Sequence, residues 1–352
     1  MKLSDFDYFL PKELIAAFPP EDRPSAKLLR VARKTGEVAH DVFRSIVDLL
    51  KPGDVLVLNN TKVLPARLFG RKETGGLVEL LLLKNSPNGN PRCWEALVRP
   101  NRRVKKNASL VFGSNGMTFE ANVLDESRPD SGKRLIEFKE DSIQEKLEKF
   151  GHIPLPPYID RPDTPIDREL YQTVFAQKPG AVASPTAGLH FDGALLQTLN
   201  AKGIEIVFVT LHVSYGTFQP VVAEDLSRHR MEEEEFEIAE DAANKINRAL
   251  DENRRVIACG TTSVRTLESA VNPETGRIKQ QTGKTSLFIY PPYSFKVVQG
   301  LITNFHLPKS TLLLLVAAFL EEGGRNKLFQ LYEEAIRCHY RFYSYGDAML
   351  IL

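Results

Sequence analysis

Cysteine is scarce in this chain of 352 residues: there are three, Cys93, Cys259 and Cys338, odd in number and with no C-x-x-C pair. That argues against a disulfide framework or a cysteine zinc site and fits a reducing compartment. Long apolar runs are missing as well. The longest, Leu312 to Leu320, is far too short to span a bilayer. The start, M-K-L-S-D-F-D-Y-F-L-P, carries two aspartates and a proline, so no signal peptide is expected and the cytoplasm is the expected location. Charge of one sign does not dominate either, since 46 basic against 45 acidic residues leave a net charge of +1. Such a balance neither demands nor excludes a nucleic-acid partner, because local patches set the field a ligand meets. No internal repeat or low-complexity tract occurs, and Glu232 to Glu235 is the only charge run. Finally, there is no G-x-G-x-x-G, so spacing alone points neither to a dinucleotide site nor to the glycine-rich turn of ordinary methyltransferases.

What is present is ordinary for a globular protein, 42% hydrophobic and 26% charged, with length enough for about two domains. The chain is organised around Ala183 to Val221. Asp192 is placed to cap a helix whose Leu195, Leu196 and Leu199 share one face, and Gly203 ends it. Ile204 to Val213, apolar on both faces and largely β-branched or aromatic, then reads as a central strand of an α/β sheet. His212 stands near its carboxyl end, where ligands gather in open α/β sheets, and Ser214 to Thr217 follows.

Before this stretch, Asp5 to Ala17 reads as a lead and helix, Leu28 to Val31 as a strand, Asp41 to Leu50 as a helix and Val55 to Leu58 as a buried strand. After it come a helix over Ala239 to Asn253, strands at Val256 to Cys259, Leu287 to Tyr290 and Val297 to Thr303, and helices at Lys309 to Leu320 and Asn326 to His339. Between the two ends the character changes. From Ala66 onward short alternating segments, Leu77 to Leu83, Trp94 to Val98, Ser109 to Phe112, Met117 to Val123 and Arg134 to Phe138, are punctuated by glycine, asparagine and proline. The expectation is a mixed-sheet α/β main domain built from both chain ends, 1–65 and 151–352, with a small all-β, barrel-like domain inserted at 66–150.

Chemistry has a few places to sit. Gly260-Thr261-Thr262-Ser263, between a strand and a helix, offers free N–H groups, a helix dipole and hydroxyls to an anion or carbonyl, and Arg265 adds a cationic fork. A plain helix cap reads equally from the same residues. His190, His212, His229 and His306 lie in loops or at strand ends suited to proton carriers, with no i, i+4 zinc pairing. In the small domain Arg99, Arg102, Arg103, Lys105 and Lys106 form a basic strip near Trp94, able to track phosphates while the indole stacks a base; surface solubility with a buried Trp94 is the rival reading.

Several motifs go further together. P-T-A-G-L-H-F, L-H-V-x-x-G-T-F-x-P-V, G-T-T-S-V-R-x-L-E-S, T-N-F-H-L-P-x-S-T-L and Y-R-F-x-S-Y-G-D-A-M make the chain resemble the S-adenosylmethionine:tRNA ribosyltransferase-isomerases of queuosine biosynthesis. The resemblance implies transfer and isomerisation of the ribosyl part of S-adenosylmethionine onto 7-aminomethyl-7-deazaguanine in tRNA, giving epoxyqueuosine-tRNA, adenine and methionine. It also implies a metal-free reaction with S-adenosylmethionine as co-substrate, tRNA as partner, no membrane, and a monomer. On the motif positions the expected catalytic residues are His212, His190 and Glu234, with His212 taking the 5′ proton. The expected cofactor contacts are Thr217, Thr261, Thr262, Ser263, Arg265, Asn304, His306, Tyr345 and Asp347. Two positions depart from the family pattern, which has histidine at Glu232 and glycine at Ser214. A non-catalytic RNA-binding protein and a metal-dependent hydrolase are the alternatives.

Overall fold

Val55–Asn59 is wholly buried, and its alternation sends Val55 and Val57 into one apolar cluster and Leu56 and Leu58 into another. A strand of this kind must be covered on both faces, and it lies near the middle of a nine-stranded sheet. Across the sheet the order is Gln281–Thr285, Glu234–Ile238, Glu205–Leu211, Val55–Asn59, Val256–Cys259, Gly300–Asn304, Ala348–Ile351, Lys27–Val31 and Val38–Val42. The four strands from Glu205–Leu211 to Gly300–Asn304 run parallel, so their carboxyl ends open on one edge. Helices Glu240–Asp251, Thr261–Ala270, Thr311–Phe319 and Gly324–Arg337 cover one face, and Ile46–Leu49 and Gly193–Ala201 the other. The structure, a computed structural model, describes residues 1–85, 90–114, 116–128, 132–218, 221, 223–321 and 323–352; Gln219 and Pro220, within one of the motifs quoted above, lie outside them.

The second unit is a closed antiparallel barrel of six strands, in order Lys133–Phe138, Cys93–Arg99, Leu77–Asn85, Arg67–Lys72, Ser109–Ser114 and Met117–Arg128. Its interior is filled by alternating residues such as Leu80, Leu82, Ala96, Leu110, Phe112, Phe119 and Phe138. Trp94 belongs to this core, with Nε1 donating to the Pro91 carbonyl at 3.3 Å. The indole is therefore unavailable for stacking on a base, which corrects that part of the sequence reading. The fold class is thus the expected one, an α/β sheet with a β-barrel. Among the described residues no helix is long and apolar enough to cross a membrane.

Local signals held where the chain's own hydrogen bonds decide. The Asp192 carboxylate caps Gly193–Ala201 by accepting from the Leu195 N–H at 2.7 Å, and Gly203 follows with φ at +87°. They failed at the rims. Asp41 to Leu50 is not one helix: V-A-H-D-V alternates as the outer strand Val38–Val42, leaving a 3-10 turn at Phe43–Ser45 and a single α-turn at Ile46–Leu49. Asp5 to Ala17 holds two short 3-10 turns, Leu3–Phe6 and Lys12–Leu14, in place of a helix. Leu287 to Tyr290 is not a strand; the outer strand is the polar Gln281–Thr285, which needs no apolar signal because one edge of it is unpaired. Arg67–Lys72, not anticipated, closes the barrel.

Gly151 marks where the chain re-enters the sheet unit, and its backbone passes so close that an added Cβ would stand 2.0 Å from the Pro65 carbonyl oxygen and 2.5 Å from that of Leu147. Backbone on both sides leaves nothing flexible to yield. Gly151→Ala should lower stability by about 1–3 kcal/mol, read as a reduced denaturant midpoint with an unchanged slope. An unaltered midpoint would show that this junction relaxes freely.

Candidate active site

At the carboxyl ends of the parallel strands lies a pocket. Thr261 and Thr262 enter it after Val256–Cys259, Asn304 and His306 after Gly300–Asn304, and Val213 and Thr217 after Glu205–Leu211. The Ser184–Ala187 turn, Tyr158 and Tyr343–Ser344 complete the wall. Its position is that of a ligand site in an α/β sheet. Gly260, at φ +86°, turns the chain from strand to helix, so that the first turn of Thr261–Ala270 faces the pocket. Two buried hydroxyls of the wall, Ser184 Oγ and Thr262 Oγ1, have no hydrogen-bond partner. Buried polar groups are seldom left so, and these two are available to a ligand.

Behind Thr217 sits a buried ion pair between Glu234 and Arg265. The other Glu234 oxygen, Oε1, accepts from the Ser214 N–H at 2.8 Å and from Thr217 Oγ1 at 3.4 Å. Arg265 Nε donates to the Leu287 carbonyl at 3.0 Å, while Nη2 is buried without a partner. One carboxylate thereby ties the pocket turn to the helix that opens on the same pocket.

The histidines separate by position. His306 lines the pocket with Nε2 at 2.8 Å from Thr303 Oγ1, and burial pushes its pKa down to about 3. Its backbone is clamped, the N–H donating to Tyr332 Oη at 2.9 Å and the carbonyl accepting from the Tyr8 hydroxyl. His190 stands one layer back, its ring 4.9 Å from that of Phe43 and its Nε2 taking a 3.3 Å bond from Asn304 Nδ2. Burial first, then Arg341 and Arg23, push its pKa to about 3 too. Asn304 is the hub here, accepting from Thr186 Oγ1 at 3.0 Å and donating to the Tyr343 carbonyl at 3.2 Å.

His212 is placed elsewhere. The next residue, Val213, lines the pocket, and adjacent residues of extended chain point to opposite sides. The His212 ring instead lies against Gly180, where a Cβ would stand 2.7 Å from Nδ1, and Nδ1 meets Thr61 Oγ1 at 2.8 Å. Its pKa is lowered, burial being the main cause. His212 thus stands at the strand end, as expected, with its ring on the side away from the pocket wall. His229 is further off, edge-on to Phe288 in another depression.

Four expected cofactor contacts also fall outside the wall: Arg265, held in its ion pair with Glu234, and three more. Ser263 Oγ bonds back to the Cys259 carbonyl at 2.7 Å, Tyr345 Oη donates to Asp167 at 3.2 Å, and Asp347 accepts from the backbone N–H groups of Lys27 and Arg341. The terminal turn reaches the pocket through Ser344, whose Oγ is 2.5 Å from Tyr158 Oη. Tyr158, Ser184 and Thr303 were missed. Tyr158 follows two prolines in I-P-L-P-P-Y, a rigid extended lead that could have flagged it.

On the barrel, Arg99, Arg102, Arg103, Lys105 and Lys106 are all exposed. Arg99 also lines a groove between barrel and sheet unit, with Arg67, Arg161, Pro157 and Tyr215. Pocket and groove share two walls, Leu155–Pro162 and the Ser214–Thr217 turn: Tyr158 and Thr217 face the pocket, Pro157 and Tyr215 the groove. Among the described residues the one trio of side chains close enough to share a metal ion, His40, Glu334 and Cys338, lies away from this pocket wall.

A hydroxyl-rich pocket at the carboxyl ends of a parallel sheet, with neutral imidazoles in and behind its wall and a basic strip on an adjoining barrel, defines an α/β protein equipped to hold a polar small molecule and move protons. The chain belongs to the family described as queuosine biosynthesis protein, whose model matches residues 3–351. It is 48% identical over 353 residues to an S-adenosylmethionine:tRNA ribosyltransferase-isomerase of Sulfurihydrogenibium sp. and 49% identical over 354 residues to one of Clostridioides difficile, covering 100% of both chains in each case. A solved S-adenosylmethionine tRNA ribosyltransferase from Thermotoga maritima is similar in structure, with a TM-score of 0.56, 36% identity and coverage of 99% of this chain and 100% of that one.

The depressed pKa values of His190 and His306 have a measurable consequence. In the unfolded chain both take up protons near pH 6.5, so their contribution to stability is full above that pH and is lost as pH falls toward 3. Histidine-detected NMR should show two neutral rings that do not titrate down to about pH 5, assigned by His190→Asn and His306→Asn. Ordinary titration of both would mean that solvent reaches the site.

Proposed function

We propose that this protein is a tRNA ribosyltransferase-isomerase acting in the cytoplasm, which takes S-adenosylmethionine into the pocket at the strand ends and a wobble-base 7-aminomethyl-7-deazaguanine from the side of the barrel. The observation that carries the reading is the pocket itself, with its unpartnered Ser184 and Thr262 hydroxyls and the first turn of Thr261–Ala270. A co-substrate bearing a ribose and an amino-acid end offers hydroxyl, ammonium and carboxylate groups to such a wall. Its sulfonium acidifies the 5′ carbon, so a base is needed there and an acid as adenine departs.

We assign the base to His306, the imidazole that lines the pocket, braced by Thr303. His190 supports that wall through Asn304, His212 braces the adjoining loop through Thr61, and Glu234 anchors Thr217. The donor set suits a metal-free reaction: hydroxyls, amide and one imidazole line the described pocket, without the carboxylates or thiolates that hold divalent ions. The units 1–65 with 151–352, and 66–150, divide the work, the first holding S-adenosylmethionine and the second meeting the phosphates of tRNA.

Incubation with S-adenosylmethionine and tRNA bearing the aminomethyl base should release adenine and methionine in equal amounts, and S-adenosylhomocysteine in their place would overturn the assignment. His306→Gln should lower kcat by about 10²–10⁴ with S-adenosylmethionine still bound, whereas His212→Gln should act mainly through stability. A near-normal kcat for the His306 variant would move the base elsewhere. For the barrel, neutralising Arg102 with Arg103, or Lys105 with Lys106, should reduce the salt slope of tRNA binding by about one per lost contact while S-adenosylmethionine affinity holds. An unchanged slope would leave the strip a solubility feature.

A further inference from the structure

The turn that walls the pocket is gripped from outside by the barrel. Tyr215 packs against the barrel's apolar cluster, and Thr217, two residues on, faces the pocket. Between them, a Cβ added at Gly216 would stand 2.7 Å from Glu232 Oε2, 3.0 Å from its Cδ and 3.1 Å from its Cγ, so the Glu232 carboxylate would have to move. Glu232 thus lies along the backbone of the turn. Its other oxygen, Oε1, accepts from Lys133 Nζ at 2.8 Å, and Lys133 belongs to the barrel strand Lys133–Phe138 and also meets Glu95 of the neighbouring strand at 3.3 Å.

We propose that Glu232 is a positioning residue which, held by Lys133 of the barrel, sets Gly216 and so the Thr217 wall of the pocket, making the pocket's fit to its small-molecule substrate depend on how the barrel is seated. Glu234 fixes the same turn from the sheet side through Ser214 N and Thr217 Oγ1, so the turn is clamped between a carboxylate answering to the barrel and one answering to helix Thr261–Ala270. Ion pairs of half-exposed side chains contribute little to global stability. The function of this one is local, because it closes on a backbone that has no side chain to keep it in place. Burial opposes the charge on Lys133, yet its bond to Glu232 leaves the pKa raised, as expected for a pair that is formed in the folded protein. Neither side chain touches the reacting atoms in this account.

The substrate side of this inference rests on the proposed use of S-adenosylmethionine; the mechanical side does not. The test is a double-mutant cycle in the full-length protein with Glu232→Gln, Lys133→Met and the pair, read by calorimetric affinity for S-adenosylmethionine and by hydrogen exchange across 213–217 without ligand. Each single variant should weaken binding about tenfold and speed exchange in the turn, the double should be no worse than either single, and the thermal midpoint should barely move. Gly216→Ala, which displaces the Glu232 carboxylate, should reproduce the single variants and add nothing to Lys133→Met. Additive effects, or wild-type exchange in the turn of the Glu232 variant, would overturn the proposal. Failure of the wild-type protein to bind S-adenosylmethionine would instead sink the functional reading, with the exchange measurement still deciding the clamp.

Discussion

The buried carboxylate of Glu234 is the constraint on which the site depends. A charge in the interior is tolerated only when its partners are in place, and Glu234 has the Arg265 guanidinium on one oxygen and the Ser214 N–H and Thr217 hydroxyl on the other. Removing either member of such a pair leaves an uncompensated charge, at a cost on the order of 3–5 kcal/mol. That cost forces three otherwise separate pieces into one arrangement: the strand Glu234–Ile238, the turn after Glu205–Leu211, and the helix Thr261–Ala270.

Around it the pocket follows from the sheet. Four parallel strands end on one edge, and the residues that follow three of them, Glu205–Leu211, Val256–Cys259 and Gly300–Asn304, are brought together in the pocket. Hydroxyl and amide side chains then form a wall that can serve several polar groups of one ligand, and burial keeps His306 and His190 uncharged. An imidazole kept uncharged keeps a lone pair and does not repel a nearby cation.

The barrel is bound into the same arrangement. Leu155–Pro162 and the Ser214–Thr217 turn each present one side to the pocket and the other to the groove beside Arg99. Packed elements shift between discrete arrangements and do not deform smoothly.

Sequence by itself determined what depends on neighbours along the chain. The buried run Val55–Asn59, the Asp192 cap, the turn at Gly260 and the alternation of the barrel strands are short-range facts, written in residue type and spacing. The motifs also carried the family. Tertiary structure decided what depends on register and on remote partners. One residue of pleat put Val213 and not His212 in the pocket, the barrel interior claimed Trp94, and the polar strand Gln281–Thr285 was recruited only because Glu234–Ile238 offered it a ladder. Glu234 found Arg265 31 positions away, and His190 found Asn304 114 positions away. No local periodicity records such pairings, because their free energy comes from excluding water around groups that meet only once the sheet has formed.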